Sequence, residues 1–167
     1  GRSAIGNACS SGRLSTVEML LNHDKGLLES EEIYVGTPLL AAIWNQQSEI
    51  IHYLLDRGAN ALATTERGLT TLFLACRERA NLEIVRRLLA AGVPVDARGE
   101  CQRTALHFAA ISGRIAVVRE LIVEHNANMF AVDMYGKTPF DSANYSSAAT
   151  ETRAFLIECY SNKSTQE

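Results

Sequence analysis

Apolar residues recur along the chain in paired bursts separated by turns. Ile50-Ile51 with Leu54-Leu55 repeat at i, i+1, i+4, i+5, which places all four on one stripe of a helix. Ile84-Val85 with Leu88-Leu89 and Val117-Val118 with Leu121-Ile122 follow the same pattern. Ahead of each stripe stands a shorter apolar segment built on small residues: Leu39, Ala42 and Ile43, then Leu72, Ala75 and Cys76, then Leu106, Ala109 and Ala110. Each couple predicts a helical hairpin, with a short inner helix and an outer helix carrying a wide apolar stripe. Gly58 and Gly92 stand where a left-handed residue stops an outer helix. A hairpin of this kind cannot bury its apolar face alone and must lean on copies of itself.

The copies are present. Thr104-Ala105-Leu106-His107 has counterparts in Thr37-Pro38-Leu39, Thr70-Thr71-Leu72 and Thr138-Pro139-Phe140, with a worn version at Ser3-Ala4-Ile5. The five starts, near residues 3, 37, 70, 104 and 138, lie 33 or 34 residues apart, the mark of an internal repeat. Small residues on the inner helices let neighbours approach closely, while the outer stripes fill a wider gap, so the stack is expected to curve. Each buried Leu or Ile contributes on the order of 2 kcal/mol against its ordering cost.

These triplets, with Leu54-Leu55 ahead of Gly58-Ala59-Asn60 and the run from Asp133 to Pro139, resemble the ankyrin-repeat pattern. The resemblance runs from Ser3 to about Tyr160. It implies an all-α solenoid of helix–turn–helix units with hairpin fingers, one domain over residues 1–160 and a frayed tail over 161–167. Such stacks are used mostly for gripping other proteins. Departures are specific. The first copy lacks the Pro and the His. The third has Thr71 for Pro and an extra residue near Asn81, and the fourth has an extra residue near His125-Asn126. The link from Asn22 to Gly36 is acidic through Glu29, Glu31 and Glu32, lacks the usual Gly-Ala pair, and is expected to deviate in shape. The polar run from Ser146 to Thr152 suits a terminal repeat, whose outer face must be wet. Gly1 reads as an expression scar and the chain opens in mid-repeat, the expectation being an excerpt of a longer protein.

Composition narrows the function classes. A net charge of −3 argues against bulk electrostatic binding to nucleic acid. No apolar run reaches the length of a membrane span, and no signal-like segment opens the chain. Cys9, Cys76, Cys101 and Cys159 are too scattered for metal or redox pairs. Cys9 and Cys76 occupy the slot of a core Ala in non-neighbouring repeats and read as buried hydrophobes of a reducing, intracellular compartment.

Catalysis finds little support. His107 with Cys101 could suggest a nucleophile and base, but no third orienting group accompanies them. The competing reading has His107 bonding backbone and fixing its finger. No histidine or cysteine spacing fits a metal, no phosphate-binding glycine loop is present, and paired carboxylates such as Glu31-Glu32 read as solvated. No enzyme and no cofactor is expected.

Binding is the expectation, and the resemblance says where. The partner-facing slots it implies are the finger tips and the ends of the inner helices. The tips hold Tyr34, then Glu66, Arg67 and Leu69, then Cys101 and Arg103, then Met134, Tyr135 and Lys137. The helix ends hold Trp44 and Asn45, Arg77 and Glu78, Ile111 and Ser112, and Tyr145. These slots contain the single Trp and several Arg and Tyr, the residue types that dominate binding hot spots. Trp44 with Tyr34 and Arg77 is the expected affinity centre. Arg67, Arg77 and Arg103 could form a ridge for a carboxylate-bearing peptide or pair internally with Glu66, Glu78 and Glu100. Trp44 and Tyr34 could instead wall a methyl-lysine cage. The expected partner is another protein or an extended peptide, with the fragment itself monomeric.

Overall fold

The structure, a computed structural model, describes residues 3–32, 35–77, 81–144 and 149–164. Five helical hairpins follow one another. Inner helices are α1 (Ala4–Ser10), α3 (Pro38–Trp44), α5 (Thr71–Ala75), α7 (Ala105–Ile111) and α9 (Pro139–Ala143). Outer helices are α2 (Leu14–His23), α4 (Ser48–Asp56), α6 (Leu82–Ala90), α8 (Ile115–Arg119) and α10 (Thr150–Ser164). Each inner helix packs on the next inner helix, and each outer helix on the next outer one. The result is the all-α solenoid that the repeat spacing predicts.

The repeating hydroxyl residue has a local cause. Ser3, Thr37, Thr70 and Thr138 sit at the N-caps in extended conformation, and each side chain accepts a backbone N–H of the first turn. That satisfies a donor the helix cannot use itself. Pro38 and Pro139 follow at the first helical position, where the missing N–H costs nothing. Thr71 stands in that place in α5, fully buried, and its hydroxyl donates to the Ala61 carbonyl at 2.6 Å. Its polarity is therefore absorbed by the finger.

Fingers are tight loops rather than ladders. Among the described residues there is no strand, only single antiparallel bridges at Glu32–Gly36 and Thr64–Thr70. One continuous core runs the length of the stack, from Ile5 and Val17 through Leu39, Leu54, Leu72, Leu88 and Leu106 to Leu121 and Leu156. Cys9 and Cys76 lie fully buried in it as free thiols. Burial pushes both up to about 12, the charge of Glu32 adding to the effect at Cys9, so both stay protonated and act as small hydrophobes.

The irregular places resolve individually. The extra residue of the fourth unit is taken up by a π turn over Glu120–Glu124 that continues α8, followed by Asn126 in the left-handed region at φ 53°. A π turn holds one residue more than an α turn, so the insertion is absorbed without moving the next finger. The link after α2 contains a 3-10 turn over Lys25–Glu29, a departure in shape as expected. Glu32 corrects the reading of its carboxylate as solvated. Its side chain turns in to accept the N–H of Ser3 at 2.8 Å and the Ser3 hydroxyl, and Gly6 leaves room for it where a Cβ would collide. At the chain end α10 continues to Ser164. Tyr160 secures that end by donating its hydroxyl to the Met129 carbonyl at 2.8 Å and packing edge-on against Phe130 and Phe140.

Candidate functional site

His107 settles first, because it carried the one catalytic suspicion. The ring is fully buried at the start of α7. Its Nδ1 accepts the Thr104 N–H at 3.2 Å, which leaves the proton on Nε2, donated to the Lys137 carbonyl at 3.0 Å. Both nitrogens are consumed in tying one cap to the next finger. Burial lowers its pKa, the Lys137 carbonyl opposing. The unfolded chain then binds a proton that the folded chain refuses, so stability is full above the ordinary value near 6.5 and declines as pH falls below it. Denaturant melts taken from pH 7.5 to 5 should show that decline, and His107→Gln should flatten it.

The last finger is organised by Asp133, whose side chain is fully buried. One oxygen accepts the N–H groups of Tyr135 at 2.8 Å and Lys137 at 2.9 Å, and the other accepts the Arg103 Nε–H at 3.1 Å. Burial alone would raise the carboxyl, but these donors together hold it below the usual range. Arg103 is thereby fixed between rings, 5.8 Å from the Phe108 centroid and 6.0 Å from that of Tyr135. Met134 donates its N–H to the Cys101 carbonyl at 2.9 Å, joining two finger tips. Cys101 itself is half-buried with φ 57°.

A second group gathers one repeat earlier. Trp44, half exposed at 50 %, ends α3, and the Arg77 guanidinium lies 4.9 Å over its ring. These two side chains line two adjacent hollows. The first is floored by Ile43, Ile51, Leu74 and Ile84, with Gln46, Ser48 and Asn81 at its rim. The second is floored by Leu69, Phe73 and Phe108, with Glu66, Arg67 and Glu100 around it. Phe73 and Phe108 meet at a tilt of 56° with 4.4 Å between centroids, and Gly99 gives the Phe73 ring its place, since a Cβ there would come within 2.8 Å of it. Gln46, at the first rim, is left-handed at φ 59° in the slot where the first and fourth units carry Gly12 and Gly113. A non-glycine residue held there is strained, and such strain concentrates at functional sites.

The structure thus assembles Trp44, Glu66, Arg67, Leu69 and Arg77 around one groove, and Cys101, Arg103, Met134 and Tyr135 at the neighbouring finger tips. Leu69 is a floor residue, only 4 % exposed, rather than a projecting contact. Asn45 is exposed, but its amide is spent on the Ala41 carbonyl at 2.8 Å. Lys137 has an exposed side chain while its backbone holds Asp133 and His107. Ile111 and Ser112 close α7 half-buried and line neither hollow. Tyr34, Glu78 and Tyr145 lie outside the described residues. Phe73, Phe108 and Gln46 are the groove residues the sequence reading missed. Arginine pairing is mixed: Arg67 lies 3.9 Å from Glu100 with both exposed, a contact worth little, while Arg103 pairs with Asp133 rather than Glu100.

The outer helices carry a separate ladder of polar links. Arg86 donates to Glu120 at 2.8 Å, and Arg87 reaches both the His52 ring at 2.8 Å and Asp56 at 2.5 Å. The Arg86 hydrogen bond is the main reason the buried Glu120 carboxyl sits below its ordinary range. These links tie one repeat to the next.

A family model described as ankyrin repeats (3 copies) matches residues 1–65 and 72–167. The chain is 31 % identical over 153 residues to a Caenorhabditis elegans transient receptor potential cation channel subfamily A member 1 homolog, spanning 92 % of this chain and 12 % of that one. It is 36 % identical over 118 residues to a mouse ankyrin repeat, SAM and basic leucine zipper domain-containing protein 1, spanning 66 % of this chain and 24 % of that one. It is 42 % identical over 91 residues to the putative ankyrin repeat protein YahD of Escherichia coli (strain K12), spanning 51 % and 44 %. The chain therefore spans less than half the length of each of these relatives. Capped hairpins in register, the His107 tie between successive fingers and a family match over nearly every residue lead to one conclusion: the chain belongs to the ankyrin-repeat family.

Proposed function

We propose that the chain is a protein-interaction module that holds an extended segment of a partner protein in the groove between its fingers and inner helices, acting inside the cell, as a monomer and without catalysis. The observation that carries this is the Trp44–Arg77 pair. A half-exposed indole under a guanidinium, beside two hollows with apolar floors and polar rims, costs solvation in the free protein and is relieved by a partner. Met134, Tyr135 and Lys137 extend the surface along the finger tips. No described helix is long and apolar enough to cross a membrane.

A second reading is favoured by the relatives, which carry the matched stretch as a minor part of longer chains. In it the stack recruits substrates for a larger enzyme or adaptor, such as a ligase, acyltransferase or methyltransferase. The methyl-lysine variant is less well supported, because Arg77 already covers one face of the Trp44 ring.

Trp44→Ala and Arg77→Ala should leave the melting temperature unchanged, since both side chains are exposed. Quantitative affinity capture from a cell extract should show the proteins retained by wild type falling roughly thirtyfold on Trp44→Ala. Equal retention of the same proteins would defeat the proposal.

A further inference from the structure

We infer that the groove is built for an extended peptide in which one carboxylate side chain is flanked on both sides by apolar ones. This rests on the binding reading above and goes on to name the partner's chemistry. Three arginines line the face: Arg103 is engaged with the buried Asp133 carboxylate, while Arg67 lies 3.9 Å from Glu100 with both side chains exposed. Arg77 has no carboxylate partner among the described residues. Its guanidinium carbon lies 4.9 Å over the Trp44 ring, a cation–π contact that leaves the N–H edge for a forked acceptor.

The position of that edge decides the pattern of the occupant. Trp44 and Arg77 line both hollows, so together they form the wall between them. A chain crossing the wall lays one side chain over Ile43, Leu74 and Ile84 and another over Phe73 and Phe108. At the crest between them it meets Arg77. The matching sequence is therefore apolar, acidic, apolar, with the acidic residue central. A carboxylate fits better than a phosphoryl group. Glu66 and Glu100 line the second hollow, so the second charge of a dianion would meet two like charges there, whereas the single charge of a carboxylate is met by Arg77. A carboxylate matches that guanidinium charge for charge.

The test selects binders from a randomised peptide library against the whole chain and measures them by fluorescence polarisation. Selected peptides should carry Asp or Glu between two apolar residues. Changing that residue to its amide in the peptide, or Arg77→Gln in the protein, should each weaken binding roughly ten- to a hundredfold, and the two losses should not add. Arg77→Lys keeps the charge without the fork and should fall between wild type and Arg77→Gln. A thermal melt matching wild type shows that a loss is not unfolding. Peptides that require Trp44 but bind Arg77→Gln unchanged would overturn this inference and leave the groove as the binding site. Peptides indifferent to both Trp44→Ala and Arg77→Gln would overturn the groove itself. Tighter binding of a phosphoserine in place of the acidic residue would overturn the choice of a carboxylate.

Discussion

Asp133→Ala should lower the unfolding free energy by about 3 kcal/mol, because two part-buried N–H groups lose their acceptor and Arg103 loses its partner. The side chain is fully buried, so no water stands ready to replace it. The damage should also reach the binding face. Arg103 is held between Phe108 and Tyr135 by this carboxylate, and freeing it loosens both rings. Asp133→Asn retains an acceptor and should cost about half as much. The carboxyl is held below its usual range, so its contribution is complete at neutral pH and lost only as acid takes the pH down through the depressed value. Urea denaturation of the two variants against wild type checks both magnitudes. A change under about 0.5 kcal/mol for the alanine variant, the size of an ordinary surface substitution, would mean that the finger is held by something else.

Leu106→Ala should cost a similar amount, about 3 kcal/mol, by opening a cavity in the middle of the stack. Leu106 is fully buried in α7, which packs on both α5 and α9. In a linear array each unit is stabilised only by its neighbours, so the weakness should spread outward from the fourth repeat. Hydrogen exchange should accelerate first in α5, α7 and α9 and last in α1. Uniform acceleration along the whole chain would argue instead for one indivisible cooperative unit.

What the sequence could yield followed from where its physics is local. A threonine cap, a small-residue inner helix and a paired aliphatic stripe are each decided within one repeat, and Thr37, Ala42 and Leu54 could be placed by inspection. The contacts between repeats were less legible, although their signal was present. Residues one period apart become neighbours, and Arg86 with Glu120, Arg87 with His52 and Arg103 with Asp133 are separated by 34, 35 and 30 positions. Searching for complementary residues at that offset would have found the first two, while the third falls short of the period by a few positions. Glu32 could not be read this way, because its place depends on the shape of an irregular link and on the space left by Gly6. Phe73 and Phe108 were not singled out, since nothing in a single repeat shows that the cleft between fingers opens onto their rings. Gln46 was hidden for a different reason: its signal is a backbone conformation, visible only beside Gly12 and Gly113 in the same slot.

The central claim is that stacked hairpins bury their apolar faces in one another and leave the Trp44–Arg77 groove for a partner. Amide hydrogen exchange with and without a library-selected peptide tests it most directly. Protection gained on binding should fall at the end of α3, the starts of α4 and α6, the finger around Glu66–Leu69 and the start of α7, with the outer helices α2, α8 and α10 unchanged. Protection concentrated on those outer helices, with the groove indifferent, would contradict the account.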